Sequence, residues 1–404
     1  MNQKDIKIGL FGFGCVGFGL YEVLAKTPSI NAQIKNICVK DPTKKRPIAP
    51  EHFTYDKDAL LEDPSINTIV ELIDDADAAF EIVKKALQKG KAVVTANKKM
   101  IAEHFEELLQ LQKTYQVPLL YEASCCASIP IIRNLEEYYN NDLLDSLEGI
   151  VNGSTNYILT QTSTENISYE SALKKAQEKG YAETNPILDT GGFDAKYKLL
   201  ILLAHAFGMI LEPEAIFNAG IDKLGDLELN YAKEKGLKIK LVANAFKNSD
   251  NSISAFVAPK FVSKMDKLFY VDDVFNGVVL QTAFAENQFF VGKGAGAYPS
   301  ASAVLSDISA LGYDYKYEYK KNNLFDASTA LSHDFSLKIL LKSSLDITHS
   351  IQSYFENIAE SYNNTEESYI VGQIRFETLQ KITQLFDISF VVFNTVSDTF
   401  NENT

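Results

Sequence analysis

The chain has 404 residues, 46% hydrophobic and 23% charged, the balance of a globular protein with room for two or three domains. Its net charge is −14 and no basic cluster is denser than Lys44–Arg46, which argues against nucleic acid as a partner. The longest apolar run, Leu199–Ala204, falls far short of the roughly 20 residues that span a bilayer. The opening MNQKDIKIGL lacks the apolar core of a secretion signal, so no membrane partner is expected, and a cytoplasmic protein with reduced thiols is. The four cysteines lack the paired spacing of a zinc site.

IKIGLFGFG reads as a buried strand ending in glycines, and a helical pattern follows from Val16 to Ala25. Gly12, Gly14 and Gly17 thus form GxGxxG between a strand and a helix, the context a dinucleotide site requires. Cys15 and Val16 open the helix, whose first N–H groups suit a pyrophosphate. The next strand, 34–41, ends at Lys40 and Asp41, with Lys44, Lys45 and Arg46 close behind. The cations favour a ribose 2′-phosphate, hence NADP, while Asp41 keeps NAD open. Strands at 68–73, 92–96 and 118–123 alternate with helices at 77–90 and 102–116, which specifies a doubly wound parallel sheet.

From about residue 145 the pattern turns α+β. Strands are expected at 146–153, 238–246, 252–262, 275–282 and 286–294, and an apolar helix at 194–210. Ser154 or Thr155 is read as the cap of a helix opened by GSTN. Asp194 and Lys198 stand four apart on one face of the apolar helix. Residues 316–325 read as a linker. After it the order is strand (335–343), helix (347–362), strand (368–376), helix (377–387) and strand (388–396).

Six motifs occur in order: the glycine fingerprint, Thr95-Ala96-Asn97-Lys98, Glu122-Ala123-Ser124 with Ile129-Pro130, VNGSTNYIL, GYAETNPILDTGGFDAKYKL and VGKGAGAYPSASAV. Together, from about residue 6 to 318, they closely resemble homoserine dehydrogenase. The resemblance implies a Rossmann nucleotide domain (1–130, completed by about 293–318), an α+β catalytic and dimerisation domain (131–315), and a small α+β C-terminal domain (326–404). It implies direct hydride transfer interconverting L-aspartate 4-semialdehyde and L-homoserine, in threonine, methionine and isoleucine biosynthesis, by a homodimer. Lys198 would handle the proton at the reacting oxygen, and Lys98 would be a second lysine near nicotinamide and substrate. Glu183, Asp189, Asp194, Gly153 and Thr155 would frame the substrate. Thr95, Asn97, Lys98 and Gly294 would lie beside the cofactor. Some family members bind a monovalent cation such as Na⁺ in the segment matching Glu122, Cys125, Ala127 and Ile129.

Three features depart from the family pattern. Asp74-Asp75 replaces glycines in a turn expected near the nicotinamide. Cys125-Cys126 echoes the ASCTT of acylating aldehyde dehydrogenases, so a thiolate nucleophile is the alternative chemistry; a catalytically silent nucleotide-binding regulator is another. A thiolate would need a nearby base. His205, the one histidine in the expected substrate domain, reads as a core residue. The tail resembles an ACT domain, a βαββαβ effector-binding unit, with one strand missing and Ser343–Asp346 in place of its Pro-Gly turn.

Overall fold

The computed structural model describes residues 4–141, 143–324, 330–364 and 368–396. The chain forms two compact units: Met1–Asp142, Leu200–Pro213 and Gly292–Asp326 make the first, and Leu143–Leu199, Glu214–Val291 and Ala327–Thr404 the second.

The first unit is built on β1 (Ile6–Phe11), β2 (Ala32–Cys38), β3 (Phe53–Thr54), β4 (Thr68–Glu71), β5 (Ala92–Thr95) and β6 (Leu119–Leu120), all parallel, in the order β3-β2-β1-β4-β5-β6. Ile8, Leu10, Ile69, Val70, Val93 and Val94 are completely buried, as a sheet covered on both faces demands. The strand order reverses between β1 and β4, where doubly wound sheets bind their ligands. Helices Cys15–Ala25, Ala76–Gln88, Lys98–Glu103, Phe105–Tyr115 and Ala297–Leu311 accompany the sheet. The departure at Asp74-Asp75 has a partial structural reason: the Asp75 carboxylate caps Ala76–Gln88 by accepting the Ala78 N–H.

Residues 316–321 are packed into this unit rather than forming a linker. Tyr317, Tyr319 and Lys321 are buried, and Lys321 Nζ donates to the Ala206 carbonyl. The tyrosine spacing puts apolar rings on one side of an otherwise charged stretch, a pattern that composition alone reads as solvated. The end of that expected linker, Phe325, lies outside the described residues.

The second unit carries a mixed sheet. Its strands are β7 (Leu144–Ile150), β8 (Phe217–Asn218), β9 (Lys238–Lys247), β10 (Ile253–Val262), β11 (Phe275–Thr282), β12 (Glu286–Lys293), β13 (Ser336–Ser343), β14 (Phe355–Asn363), β15 (Ser368–Arg375) and β16 (Ser389–Val396). They run β12-β11-β7-β9-β10-β16-β13-β15-β14, with β8 paired to β10. The four C-terminal strands therefore continue the sheet through β16, which lies parallel to β10. With helices Leu345–Ile351 and Phe376–Leu385 they make a complete βαββαβ unit. No strand is missing: the expected helix at 347–362 ends at Ile351, and Phe355–Asn363 is the outermost strand, largely solvent-facing. The Glu, Ala and Gln of that stretch favour helix locally, and an exposed edge strand has too few buried positions to show its two-residue period.

Candidate active site

At the β1 turn each glycine has a separate reason. Gly12 has φ +90°, and a Cβ there would lie 2.5 Å from the Leu72 carbonyl oxygen. A Cβ on Gly17 would lie 2.4 Å from the Gly12 carbonyl oxygen, so the helix can sit this close to the strand only with glycine. A Cβ on Gly14 would meet nothing within 4 Å, so the helix start is open. Cys15 is the first residue of helix Cys15–Ala25 and is exposed; Val16 is half-buried.

The loop after β2 is organised by its own polar groups. The Asp41 carboxylate accepts the Thr43 N–H at 2.8 Å and its hydroxyl at 2.7 Å, and these bonds hold its pKa below the usual range. Arg46 donates to the Lys44 and Asp41 carbonyls. Lys40, Lys44 and Lys45 are exposed. Asp41 is thus occupied within the loop, and the exposed charges around it are cationic.

Thr95 ends β5, and Asn97 caps the helix that begins at Lys98 by accepting the Met100 N–H at 3.0 Å. Lys98 is half-buried in that first turn. Gly294 lies just after β12, and Gly296, with φ +126°, begins helix Ala297–Leu311.

Glu122 lies in a buried turn below. Its carboxylate accepts the N–H groups of Ile132 and Arg133, both at 2.9 Å, at the start of helix Ile131–Glu137. Its own N–H donates to Asp307, which Arg133 pairs at 2.7 Å. Burial, with Asp307 nearby, pushes Glu122 up to about 8. Cys126 and Ala127 are both left-handed, with φ +54° and +39°, and the Cys125 and Cys126 side chains are buried. His205 is a satisfied core histidine of the first unit: Nδ1 meets Glu136 at 2.6 Å and Nε2 meets the Tyr121 hydroxyl at 2.8 Å.

A polar cluster of the second unit is centred on a residue the sequence reading missed. Asn152 donates from Nδ2 to Asp189 at 2.7 Å and to Asp194 at 2.8 Å. Its Oδ1 accepts the Thr155 N–H at 2.8 Å, so Asn152, not Ser154 or Thr155, caps helix Gly153–Glu165. The order Asn-Gly-Ser-Thr offers three capping residue types in four positions, which hid the one used. The Thr155 hydroxyl turns inward to Asn152, and Ser154 donates to the Tyr181 carbonyl. Gly153 is forced by closeness, since a Cβ there would lie 2.9 Å from the Val274 carbonyl oxygen.

Lys198 Nζ donates to Asp194 and to the Val151 carbonyl, both at 2.7 Å, and the pair is buried on helix Phe193–Phe207. The i,i+4 spacing is therefore not a solvated surface pair. Burial and the Asp194 charge raise the Asp189 pKa. Glu183 stands apart: it is exposed, and its carbonyl accepts from Gln177.

A site combining paired carboxylates with a buried ammonium suits a substrate bearing both charges, and the model named "Homoserine dehydrogenase, NAD binding domain" matches residues 12–122. The model "Homoserine dehydrogenase" matches residues 130–309. The homoserine dehydrogenase of Helicobacter pylori is 39% identical over 313 residues, covering 76% of this chain and 73% of that protein. The chain belongs to the homoserine dehydrogenase family. The crystal structure of the Thiobacillus denitrificans homoserine dehydrogenase superposes with a TM-score of 0.86 at 26% identity, covering 98% of this chain and 99% of that one. A hyperthermophilic archaeal homoserine dehydrogenase in complex with NADPH gives 0.67 at 28% identity, covering 77% and 99%. The family makes the protein an NAD(P)-dependent oxidoreductase acting on CH–OH, interconverting aspartate semialdehyde and homoserine. Family and relatives support neither the acylating alternative nor the silent regulator, and the two thiols that would attack an aldehyde are buried at 0% and 1% exposure. No described helix is long and apolar enough to cross a membrane.

Proposed function

We propose that Lys198 is the acid–base residue of this homoserine dehydrogenase and that Asn152, Asp189 and Asp194 hold the amino alcohol. The carrying observation is the chain Asp189–Asn152–Asp194–Lys198, half-buried at Asp189 and buried at the other three, each link at 2.7–2.8 Å. A bound nicotinamide supplies or accepts the hydride. Lys198 gives a proton to the carbonyl oxygen in reduction and removes it from the hydroxyl in oxidation, its ammonium held in place by Asp194 and the Val151 carbonyl. The carboxylates answer the substrate ammonium, and Lys98 at the β5 end stabilises charge developing on oxygen.

The first unit is read as an NADP site: Gly12, Gly14 and Gly17 shape the pyrophosphate cradle, and Lys40, Lys44 and Lys45 leave cationic surface for a 2′-phosphate while Asp41 is engaged by Thr43. A monovalent cation would be held by Glu122 together with backbone oxygens of Cys125, Ala127 and Ile129. A buried carboxylate pushed to about 8 gains from a second positive charge beside it. A homodimer, the ACT character of the tail, cytoplasmic location and a place in threonine, methionine and isoleucine formation complete the reading.

The test follows absorbance at 340 nm with homoserine and NADP⁺ or NAD⁺ in parallel. Wild type should reduce NADP⁺ faster. Lys198→Ala should lose roughly 10²-fold or more in kcat with dinucleotide affinity kept. Near-wild-type turnover in that variant removes Lys198 from the chemistry.

A further inference from the structure

Four residues close a ring of hydrogen bonds at the carboxyl ends of β4 and β5. Glu71, the last residue of β4, is completely buried. Its Oε1 accepts the Ile73 N–H at 2.6 Å, and its Oε2 accepts the Thr95 hydroxyl at 2.5 Å. The same hydroxyl oxygen accepts the Asn97 N–H at 3.0 Å. Asn97 Nδ2 donates to the Ile73 carbonyl at 3.1 Å, which closes the ring. Asn97 Oδ1 meanwhile caps the helix whose first residue is Lys98.

We propose that Glu71 is a positioning residue for catalysis: through Thr95 and Asn97 it locks the turn after β4 to the first turn of the Lys98 helix and so fixes where Lys98 stands. The proposal rests on the assignment of Lys98 given above. A buried carboxylate is a costly way to join two strand ends, which apolar packing could do without desolvating a charge. What the carboxylate adds is direction. It offers two acceptors to two donors that face it, so both arms of the ring donate away from Asn97 and converge on Glu71.

The ring also depends on protonation. Burial, with the Asp74 charge on the following turn, raises Glu71 against the pull of its two hydrogen bonds, to about 7. From β5 it meets only the neutral Thr95 hydroxyl, and its register partner on β1 is Phe11. A protonated Glu71 must turn one acceptor into a donor. Ile73 N–H cannot accept, and a proton on Oε2 can point at the Thr95 oxygen only if the Thr95 hydroxyl stops donating to Glu71 and turns its own proton away. The locked arrangement belongs to the carboxylate and is lost as pH falls through about 7.

The experiment compares wild type, Glu71→Gln, Thr95→Val, Lys98→Ala and the Glu71→Gln/Lys98→Ala double variant in homoserine oxidation, with kcat recorded from pH 6 to 9 and dinucleotide affinity measured by NADPH fluorescence. Glu71→Gln should lose about tenfold or more in kcat at pH 8 while binding NADPH within about twofold of wild type, since small misplacements of catalytic groups are costly. Its profile should lack an acid limb near pH 7 that wild type shows. The double variant should be no slower than Lys98→Ala alone. Wild-type kcat and an unchanged limb in Glu71→Gln would overturn the proposal, as would losses that multiply in the double variant. If Glu71→Gln does not fold, Thr95→Val opens the ring from its other side, and unchanged kcat there overturns it equally. Absence of turnover by wild type would instead sink the site assignment on which it rests.

Discussion

Asn152 ties two carboxylates that would otherwise repel one another at close range. Its amide donates to both Asp189 and Asp194 while its oxygen caps helix Gly153–Glu165, so one side chain joins the helix start to the acidic pair. Asn152→Ala should raise KM for homoserine by about 10- to 100-fold, the equivalent of losing charge-assisted hydrogen bonds worth about 1.5–3 kcal/mol. Steady-state kinetics with homoserine varied at saturating NADP⁺ would read it. An unchanged KM would show that the carboxylates hold their places unaided. The pairing of Asp194 with Lys198 was legible in the sequence, because the two share a helical face, as was the place of Lys98 just past a strand end, whereas Glu183 stands exposed and apart. Asn152 and Glu71 were not. Each acts by bonding to groups distant in the chain or to backbone, as Glu71 does with Thr95, and no local period records such pairing.

Asp189 is carried on a strap, Ile187–Gly192, that leans on β8 and leads into the helix bearing Asp194. The Thr190 carbonyl accepts the Ile221 N–H at 2.7 Å, and Asn218 Nδ2 donates to the Gly191 carbonyl at 2.7 Å. Gly220 sits so close that an added Cβ would be 2.0 Å from the Thr190 carbonyl oxygen. Of the three nearest atoms there, the Asp222 carboxylate can swing aside, but Thr190 O and Gly191 Cα are backbone and cannot. Gly220→Ala should therefore displace the strap, costing about 1–3 kcal/mol of stability and weakening homoserine binding more than dinucleotide binding. Thermal melting together with separate substrate titrations would check it; wild-type values in both would mean that the strap yields freely. Elements with a strong period were read correctly, including the parallel strands and the helix at Phe193–Phe207. β14 was misread because its burial is too slight to impose alternation, and the packed tyrosines of 316–321 because their partners, Tyr121 and Glu136, lie far away in sequence.

At the scale of the whole molecule, packing in one unit and buried charge in the other can be read by separate unfolding experiments. The second unit continues its sheet into the C-terminal βαββαβ module and buries Phe256, Phe335, Leu337 and Phe376 in one cluster. Phe376→Ala should thus cost about 3–5 kcal/mol, a loss readable by urea unfolding. The first unit holds buried carboxyls at Asp307, Glu71 and Glu122, which burial pushes up to about 6, 7 and 8. A carboxyl whose folded-state pKa is raised favours the folded chain while protonated in both states. That contribution is complete below the unfolded value near 4 and is lost as pH rises toward the folded one. The melting temperature should accordingly fall between pH 5.5 and 8.5. The fall should be smaller by several degrees in Glu122→Gln, which carries no charge to bury and keeps an acceptor for the N–H groups of helix Ile131–Glu137. A sodium or potassium ion beside Glu122 would reverse the local preference, so replacing it with choline at pH 8 should deepen the wild-type fall and leave Glu122→Gln unmoved. Equal slopes in the two proteins would show that Glu122 does not ionise across this range, and equal melting in sodium and choline would remove the cation from this loop.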